Sequence, residues 1–116
     1  MAREFDRALA TEEITRIILA YPSCIDRGDI DGAARLLTGV KLSISTGQLA
    51  PEVPEGEIPT LTFEDARTMH TSTMMVYEDG LPRTKHVISN IDVSFSHDAC
   101  SAKGRSSYTV DRKSVV

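Results

Sequence analysis

The chain has 116 residues, and 13 Lys or Arg against 17 Asp or Glu leave a formal net charge of −4 at pH 7. This length predicts one domain, residues 1–116. The acidic balance, 5% aromatic content and lack of Trp exclude a nucleic-acid-binding surface, which needs clustered basic residues and stacking aromatics.

The first periodic segment predicts a helix from Thr11 to about Asp26, with Thr11 as its cap. Pro22 lies inside this pattern and should kink the helix or alter its last turn, and Gly28 is the expected stop. Apolar residues recur at helical spacing and form one stripe: Ile14, Ile17, Ile18, Tyr21 and Ile25.

The next segments are shorter. A second helix, capped by Asp29 or Asp31, should end near Gly39. Residues 40–45 alternate apolar and polar side chains, which predicts a strand. Residues 46–61 are rich in Gly and Pro and predict a loop or an irregular edge.

The second half of the chain predicts one more helix and a hairpin. Thr62 begins a capping box in which Asp65 replaces the usual Glu, and the helix should reach about Tyr77. Residues 86–95 predict a strand, followed by a turn and an antiparallel return strand over residues 99–110. This order of elements predicts an α+β fold, with helices packed on one face of a curved antiparallel sheet.

The orientation of His86 is left open by the residues alone. Odd-numbered positions of the strand are the more apolar, which would place His86 and Asn90 on the opposite face. A β-bulge near Asn90 would exchange the two faces downstream, and both faces of such a sheet can be covered. His70, His86 and His97 include no pair at helical ligand spacing, so we predict no metal site.

Asp26 lies at an unfavourable position for the helix that it ends. A carboxylate in the last turn of a helix faces the negative end of the helix dipole, so helix stability does not explain it. The local alternative is a hydrogen bond to the loop at Gly28 and Asp29. Met69, Met74 and Met75 form either ordinary core or an adaptable surface for an apolar ligand.

Two segments, residues 14–37 and 82–93, carry a resemblance to a known family. The first reads Ile14-x-x-Ile17-Ile18-x-x-Tyr21 and continues to Leu37, and the second contains Lys85-His86-Val87-Ile88. With the later Ser107-Tyr108-Thr109-Val110, they resemble the SnoaL-like branch of the NTF2-like superfamily, whose members include scytalone dehydratase, hexachlorocyclohexane dehydrochlorinase and polyketide cyclases.

The resemblance implies a cone-shaped α+β barrel, in which N-terminal helices pack on a curved antiparallel sheet and enclose an apolar pocket. Family members usually continue beyond the strand that holds Ser107–Val110, so we expect the C-terminal strands to be missing here. A homodimer or higher homo-oligomer is the expected assembly.

The resemblance also implies a site. Asp26 and His86 fall on the motif positions of the catalytic acid and histidine of the dehydratase and dehydrochlorinase members. His86 would then act as a general base, with Asp26 holding its ring in one tautomer. The residues expected to line the pocket are Tyr21, Ile18, Met69, Met74, Ile88 and Asn90.

The resulting hypothesis is a lyase or isomerase that needs no cofactor and acts on a small apolar or cyclic organic molecule. The alternatives are a non-catalytic ligand-binding or dimerisation module, or a subunit of a larger oxygenase. The apolar run Ile17–Ala20 is far too short to span a membrane, and from the mixed charges at the start we expect no signal peptide. Cys24 and Cys100 match no metal or redox spacing, which predicts reduced thiols in a cytoplasmic protein.

Overall fold

A computed structural model describes residues 6–43, 56, 58–74, 76–98 and 100–112. Within these residues the elements are three helices and two strands: α1 (Arg7–Asp26), α2 (Ile30–Leu37), α3 (Phe63–Thr73), β1 (Thr84–Phe95) and β2 (Ala102–Arg112). They fall into two compact units, one holding α1, β1 and β2 and the other holding α2 and α3. The predicted α+β arrangement with an antiparallel sheet is confirmed, although the sheet of the described residues is not closed into a barrel.

Helix α1 begins about one turn earlier than predicted. Asp6 is its N-cap, and the Asp6 side chain accepts a hydrogen bond of 3.1 Å from the backbone N–H of Leu9. Thr11 lies inside the helix instead, where its hydroxyl donates to the carbonyl of Arg7 at 2.7 Å. The prediction of Thr11 as the cap was wrong because Asp6 satisfies the free N–H groups of the first turn.

The end of α1 follows the prediction. The helix passes through the buried Pro22 and ends at Asp26. The N–H of Gly28 donates to the carbonyl of Ile25 at 3.0 Å, and that of Asp29 donates to Cys24 at 2.8 Å. This is the Schellman pattern, which requires a left-handed residue, and Gly28 supplies it with a φ of +73°.

Small buried residues pack α2 against α3. Ala33, Ala34 and Ala66 are fully buried, and an ion pair of 2.9 Å links Arg67 of α3 to Asp31 of α2. The capping box is confirmed: Thr62 Oγ1 accepts from the N–H of Asp65, and the Asp65 carboxylate accepts from the N–H of Thr62.

The predicted extent of α3 was too long. The helix ends at Thr73 rather than near Tyr77, and Met74 already has an extended backbone. Thr71, Ser72 and Thr73 each donate a side-chain hydrogen bond back to a carbonyl one turn earlier. Such residues favour the helix weakly because their hydroxyls compete for backbone groups.

The strand predicted over residues 40–45 is reduced, within its described part, to one antiparallel bridge between Lys41 and Thr60. Residues 44 and 45 lie outside the described residues, as does most of the predicted loop 46–61.

Strands β1 and β2 form the predicted hairpin, with Thr84 opposite Arg112 and Phe95 opposite Ala102. The register shifts between Ser89 and Asp92, and Asn90 between them has a left-handed φ of +54°. The bulge that the sequence left open is therefore present. It exchanges the faces, so the half-buried residues are 84, 86 and 88 before the bulge and 91, 93 and 95 after it.

The bulge corrects the interpretation of the odd-numbered face. Val87 was expected on the packed face together with Ile91 and Val93, but its side chain is 45% exposed. His86 shares the inward face with Ile91 and Val93 because the extra residue reverses the alternation between them.

Helix α1 lies along the hairpin. Near its start, the Arg7 guanidinium stands 5.6 Å above the ring of Phe95. Farther along, Ile14 and Ile18 come so close to Gly104 of β2 that an added Cβ would lie 2.7 Å from Ile14 Cγ2. The 20 residues of α1 therefore carry Asp26 to the end of the hairpin where β1 begins.

Candidate functional site

Asp26 and His86 contact each other where the end of α1 meets the start of β1. Asp26 Oδ1 lies 2.6 Å from His86 Nδ1, and the backbone N–H of His86 donates to Asp26 Oδ2 at 2.8 Å. Both side chains are largely buried, with 17% of His86 and 23% of Asp26 exposed. One carboxylate therefore holds both the backbone and the ring of the same histidine.

Thr84 completes the surroundings of the carboxylate. Its hydroxyl donates to Asp26 Oδ1 at 2.8 Å. The loop alternative for Asp26 does not describe these contacts, since the N–H groups of Gly28 and Asp29 donate to α1 carbonyls. The position of Asp26 is explained by β1, which provides three donors to the end of α1.

These hydrogen bonds decide the charge of Asp26. Burial by itself raises the pKa of the Asp26 carboxyl, but the hydrogen bonds from the His86 backbone, the His86 ring and the Thr84 hydroxyl outweigh burial and lower it. An ionised carboxylate can only accept hydrogen bonds, so His86 Nδ1 must carry the proton that joins the two groups. In the neutral ring, Nε2 then keeps the free lone pair.

A cavity of about 360 Å³ adjoins the pair. This volume lies within the range of small-ligand sites. Its lining comes from the end of α1 and the start of β1: Leu19, Pro22, Ser23, Asp26, Arg27, Lys85, His86 and Ile88. The wall thus combines apolar side chains with the carboxylate–imidazole pair and two cationic residues.

Tyr108 lies near the histidine, and Tyr21 lies near Tyr108. The ring of Tyr108 is 5.9 Å from that of His86, and Tyr108 pairs with Ile88, so it lies on the same face of the sheet as His86. Burial, and then the nearby Tyr108, raise the pKa of Tyr21, which keeps this phenol neutral. Tyr108 is 65% exposed and adds apolar surface beside His86.

Thr84 and Tyr108 are the neighbours of the Asp26–His86 pair that the sequence analysis missed. It also missed five residues of the cavity wall: Leu19, Pro22, Ser23, Arg27 and Lys85. Thr84 precedes His86 by two residues, so strand alternation alone places both side chains on one face. Tyr108 belongs to a segment that carried the family resemblance, but its approach to His86 depends on the hairpin register, which a turn of uncertain length does not predict.

The residues predicted to line the pocket lie in different places. Ile88 lines the cavity, Tyr21 lies near Tyr108, and Ile18 packs against Gly104. Asn90 is exposed at the bulge. Met69 on α3 and Met74 at its C-cap are half-buried residues of the other unit. That any of these six residues contacts a ligand remains a prediction.

The fold and this site define an α+β protein with a carboxylate–imidazole pair at a small cavity. A family model of the SnoaL-like domain matches residues 6–112, so the chain belongs to the SnoaL-like family of the NTF2-like superfamily. Membership in this family indicates a protein that binds small molecules. No curated protein and no solved structure matches the chain significantly.

The described part of the chain lacks two further features. None of its helices is long and apolar enough to cross a membrane. Among the same residues, no group of three or more His, Cys, Asp or Glu side chains is arranged to hold a metal ion.

Proposed function

We propose that this protein is a cofactor-independent lyase or isomerase of the dehydratase, dehydrohalogenase or cyclase type. Its substrate is a small apolar or cyclic organic molecule that loses a proton from carbon. The observation that carries the proposal is the 2.6 Å contact between Asp26 Oδ1 and His86 Nδ1 in the wall of the cavity.

In the proposed reaction, His86 Nε2 is the general base. It takes a proton from a carbon beside a carbonyl or beside a leaving group. Asp26 holds the ring through Nδ1, and its negative charge faces the positive charge that the ring acquires. Loss of water or halide, a shift of a double bond, or ring closure then follows according to the substrate.

The rest of the cavity wall suits such a substrate. Leu19, Pro22 and Ile88 provide apolar surface for a hydrocarbon ring. Arg27 and Lys85 contribute positive charge near the site where an enolate or a leaving halide would develop. We therefore expect substrates with one polar oxygen or halogen on an apolar frame.

Proton abstraction is best tested by hydrogen exchange in heavy water. The protein is incubated with a panel of cyclic ketones, β-hydroxy ketones and halogenated rings, and proton NMR follows exchange beside the functional group as well as product formation. Proton abstraction needs only a base, so hydrogen exchange at the carbon detects it even when no product forms.

The variant His86→Gln should lower the exchange rate by about 100-fold or more, which is the usual loss on removing a general base. His97→Gln is the matched control, because His97 is exposed in the turn of the hairpin, and it should exchange at the wild-type rate. Equal rates for wild type and His86→Gln would refute the proposal. Binding of a panel compound without any exchange would favour the ligand-binding module instead.

The remaining predictions about the whole protein stand as part of this proposal. We propose that residues 1–116 act as one domain and that the protein is a homodimer in the cytoplasm. Tyr108 and Val110 are exposed apolar side chains on one face of β2, and they support an assembly of this kind because a continuous apolar surface is commonly covered by a partner.

A further inference from the structure

We propose that Thr84 is a positioning residue that fixes the Asp26 carboxylate against the ring of His86, and this proposal rests on the function proposed above. The hydroxyl of Thr84 and Nδ1 of His86 donate to the same oxygen, Oδ1 of Asp26, at 2.8 and 2.6 Å. In the proposed reaction, Thr84 does not touch the reacting atoms.

The carboxylate of Asp26 is held at both oxygens. Oδ2 accepts from the backbone N–H of His86, which belongs to the paired strand β1 and so has a fixed direction. Oδ1 is held from the other side by the hydroxyl of Thr84. Together the two donors oppose rotation of the carboxylate plane, and this plane sets the direction of the hydrogen bond to the ring.

The hydroxyl also excludes a competing donor. A carboxylate oxygen has two favourable acceptor directions, and the hydroxyl of Thr84 and the ring of His86 occupy both at Oδ1. Without the hydroxyl, a water molecule can donate there from a range of directions, because Asp26 keeps 23% of its side chain exposed. The ionised carboxylate would still keep the proton on Nδ1, but the direction of that hydrogen bond would no longer be fixed.

The backbone at the start of β1 places Thr84 for this contact. Arg83 directly before it has a left-handed φ of +58°. The Arg83 guanidinium lies 5.0 Å above the ring of Tyr77 and 3.3 Å from a carboxylate oxygen of Asp79. A strained backbone persists where its neighbours hold it, and these contacts hold the residue that leads into Thr84.

The test reads the hydrogen bond between His86 Nδ1 and Asp26 directly, without any substrate. In protein labelled with ¹⁵N histidine, the proton on Nδ1 gives a sharp signal far downfield when its hydrogen bond is short and well directed, and the signal broadens when the proton exchanges with water. The variants are Thr84→Val, which keeps the shape and removes the hydroxyl, and Thr84→Ser, which keeps the hydroxyl. Thr109→Val, at an exposed position of β2, is the matched control.

We expect wild type, Thr84→Ser and Thr109→Val to show the Nδ1 proton as a sharp signal at the same downfield shift. In Thr84→Val the proton should stay on Nδ1, but its signal should broaden as its exchange with water becomes faster. If amide spectra show that Thr84→Val is unfolded, Thr84→Ala takes its place. A wild-type signal in a folded variant without the hydroxyl overturns the proposal, as does a broadened signal in Thr84→Ser.

This readout separates the role of Thr84 from the proposed function. If His86→Gln keeps full exchange activity, the proposed function fails, while the Nδ1 proton signal still decides the role of Thr84 by itself. Where exchange is observed, Thr84→Val should lower kcat by about tenfold with KM unchanged, since it disturbs the direction of the base rather than binding.

Discussion

The substitution Asp26→Asn tests how much the link between α1 and β1 contributes to stability. An amide has only one acceptor oxygen, so it cannot accept from Thr84, the ring of His86 and the backbone N–H of His86 in the observed arrangement. At least one hydrogen bond to a charged group is lost, which costs about 1.5–3 kcal/mol.

A smaller effect acts in the opposite direction. Removing a negative charge from the last turn of a helix relieves about 0.3–1 kcal/mol of unfavourable dipole interaction. The net loss for Asp26→Asn is therefore about 0.5–2.7 kcal/mol. Because a domain of this size loses about 4 °C in Tm per kcal/mol, we expect a decrease of about 2–11 °C.

Thermal unfolding followed by circular dichroism at pH 7 measures this difference. Asp92→Asn is the matched control, since it removes the same charge from an exposed position of β1. A surface substitution of this kind changes stability by about 0.5 kcal/mol or less.

The difference in Tm should also depend on pH. Hydrogen bonds lower the pKa of Asp26 in the folded protein below its value in the unfolded chain. The unfolded chain therefore takes up the proton first as pH falls, so the contribution of Asp26 is complete above about pH 5 and decreases below about pH 4. The Tm of wild type should approach that of Asp26→Asn in this acidic range.

Two results would refute this reasoning. One is a Tm for Asp26→Asn within 2 °C or so of Asp92→Asn at pH 7, given the roughly 4 °C per kcal/mol used above. The other is a difference that stays constant down to about pH 3, because the carboxylate would then not be the source of the stability.

Two other predictions concern packing and assembly. Gly28→Ala should lower Tm more than Gly80→Ala: both positions have left-handed φ, of +73° and +79°, but only a Cβ at Gly28 meets a backbone oxygen, at 2.5 Å. The backbone strain that both alanines share is about 1–2 kcal/mol, and the clash of the Gly28 Cβ adds about 1–3 kcal/mol. Equal losses in Tm for the two variants would contradict the close approach of Gly28 to the carbonyl of Gly80. Light scattering at micromolar concentration should give twice the chain mass of 12.7 kDa, and a strictly monomeric protein would exclude the proposed homodimer.

Local chemistry was sufficient to predict several features from the sequence. The stop at Gly28 and the capping box at Thr62 depend on residues within a few positions of each other, and both are confirmed. The hairpin follows from the alternation in β1 and β2 and the polar turn between them. Element ends were less certain because several residues could act as caps, and Asp6 does so in place of Thr11.

The site depended on contacts between residues far apart in the chain. From the residues alone, Asp26 had only the loop at Gly28 and Asp29 as a partner and His86 had no assigned face. Only the family resemblance linked the two residues. The bulge at Asn90 decides which side chains of β1 face α1, and the hairpin register brings Tyr108 to His86. Three donors from β1 then meet one carboxylate at the end of α1. The sequence by itself determined the local turns, caps and alternation, because these arise from neighbouring residues. Tertiary structure alone decided the partners of Asp26, because they depend on how α1 packs along the hairpin.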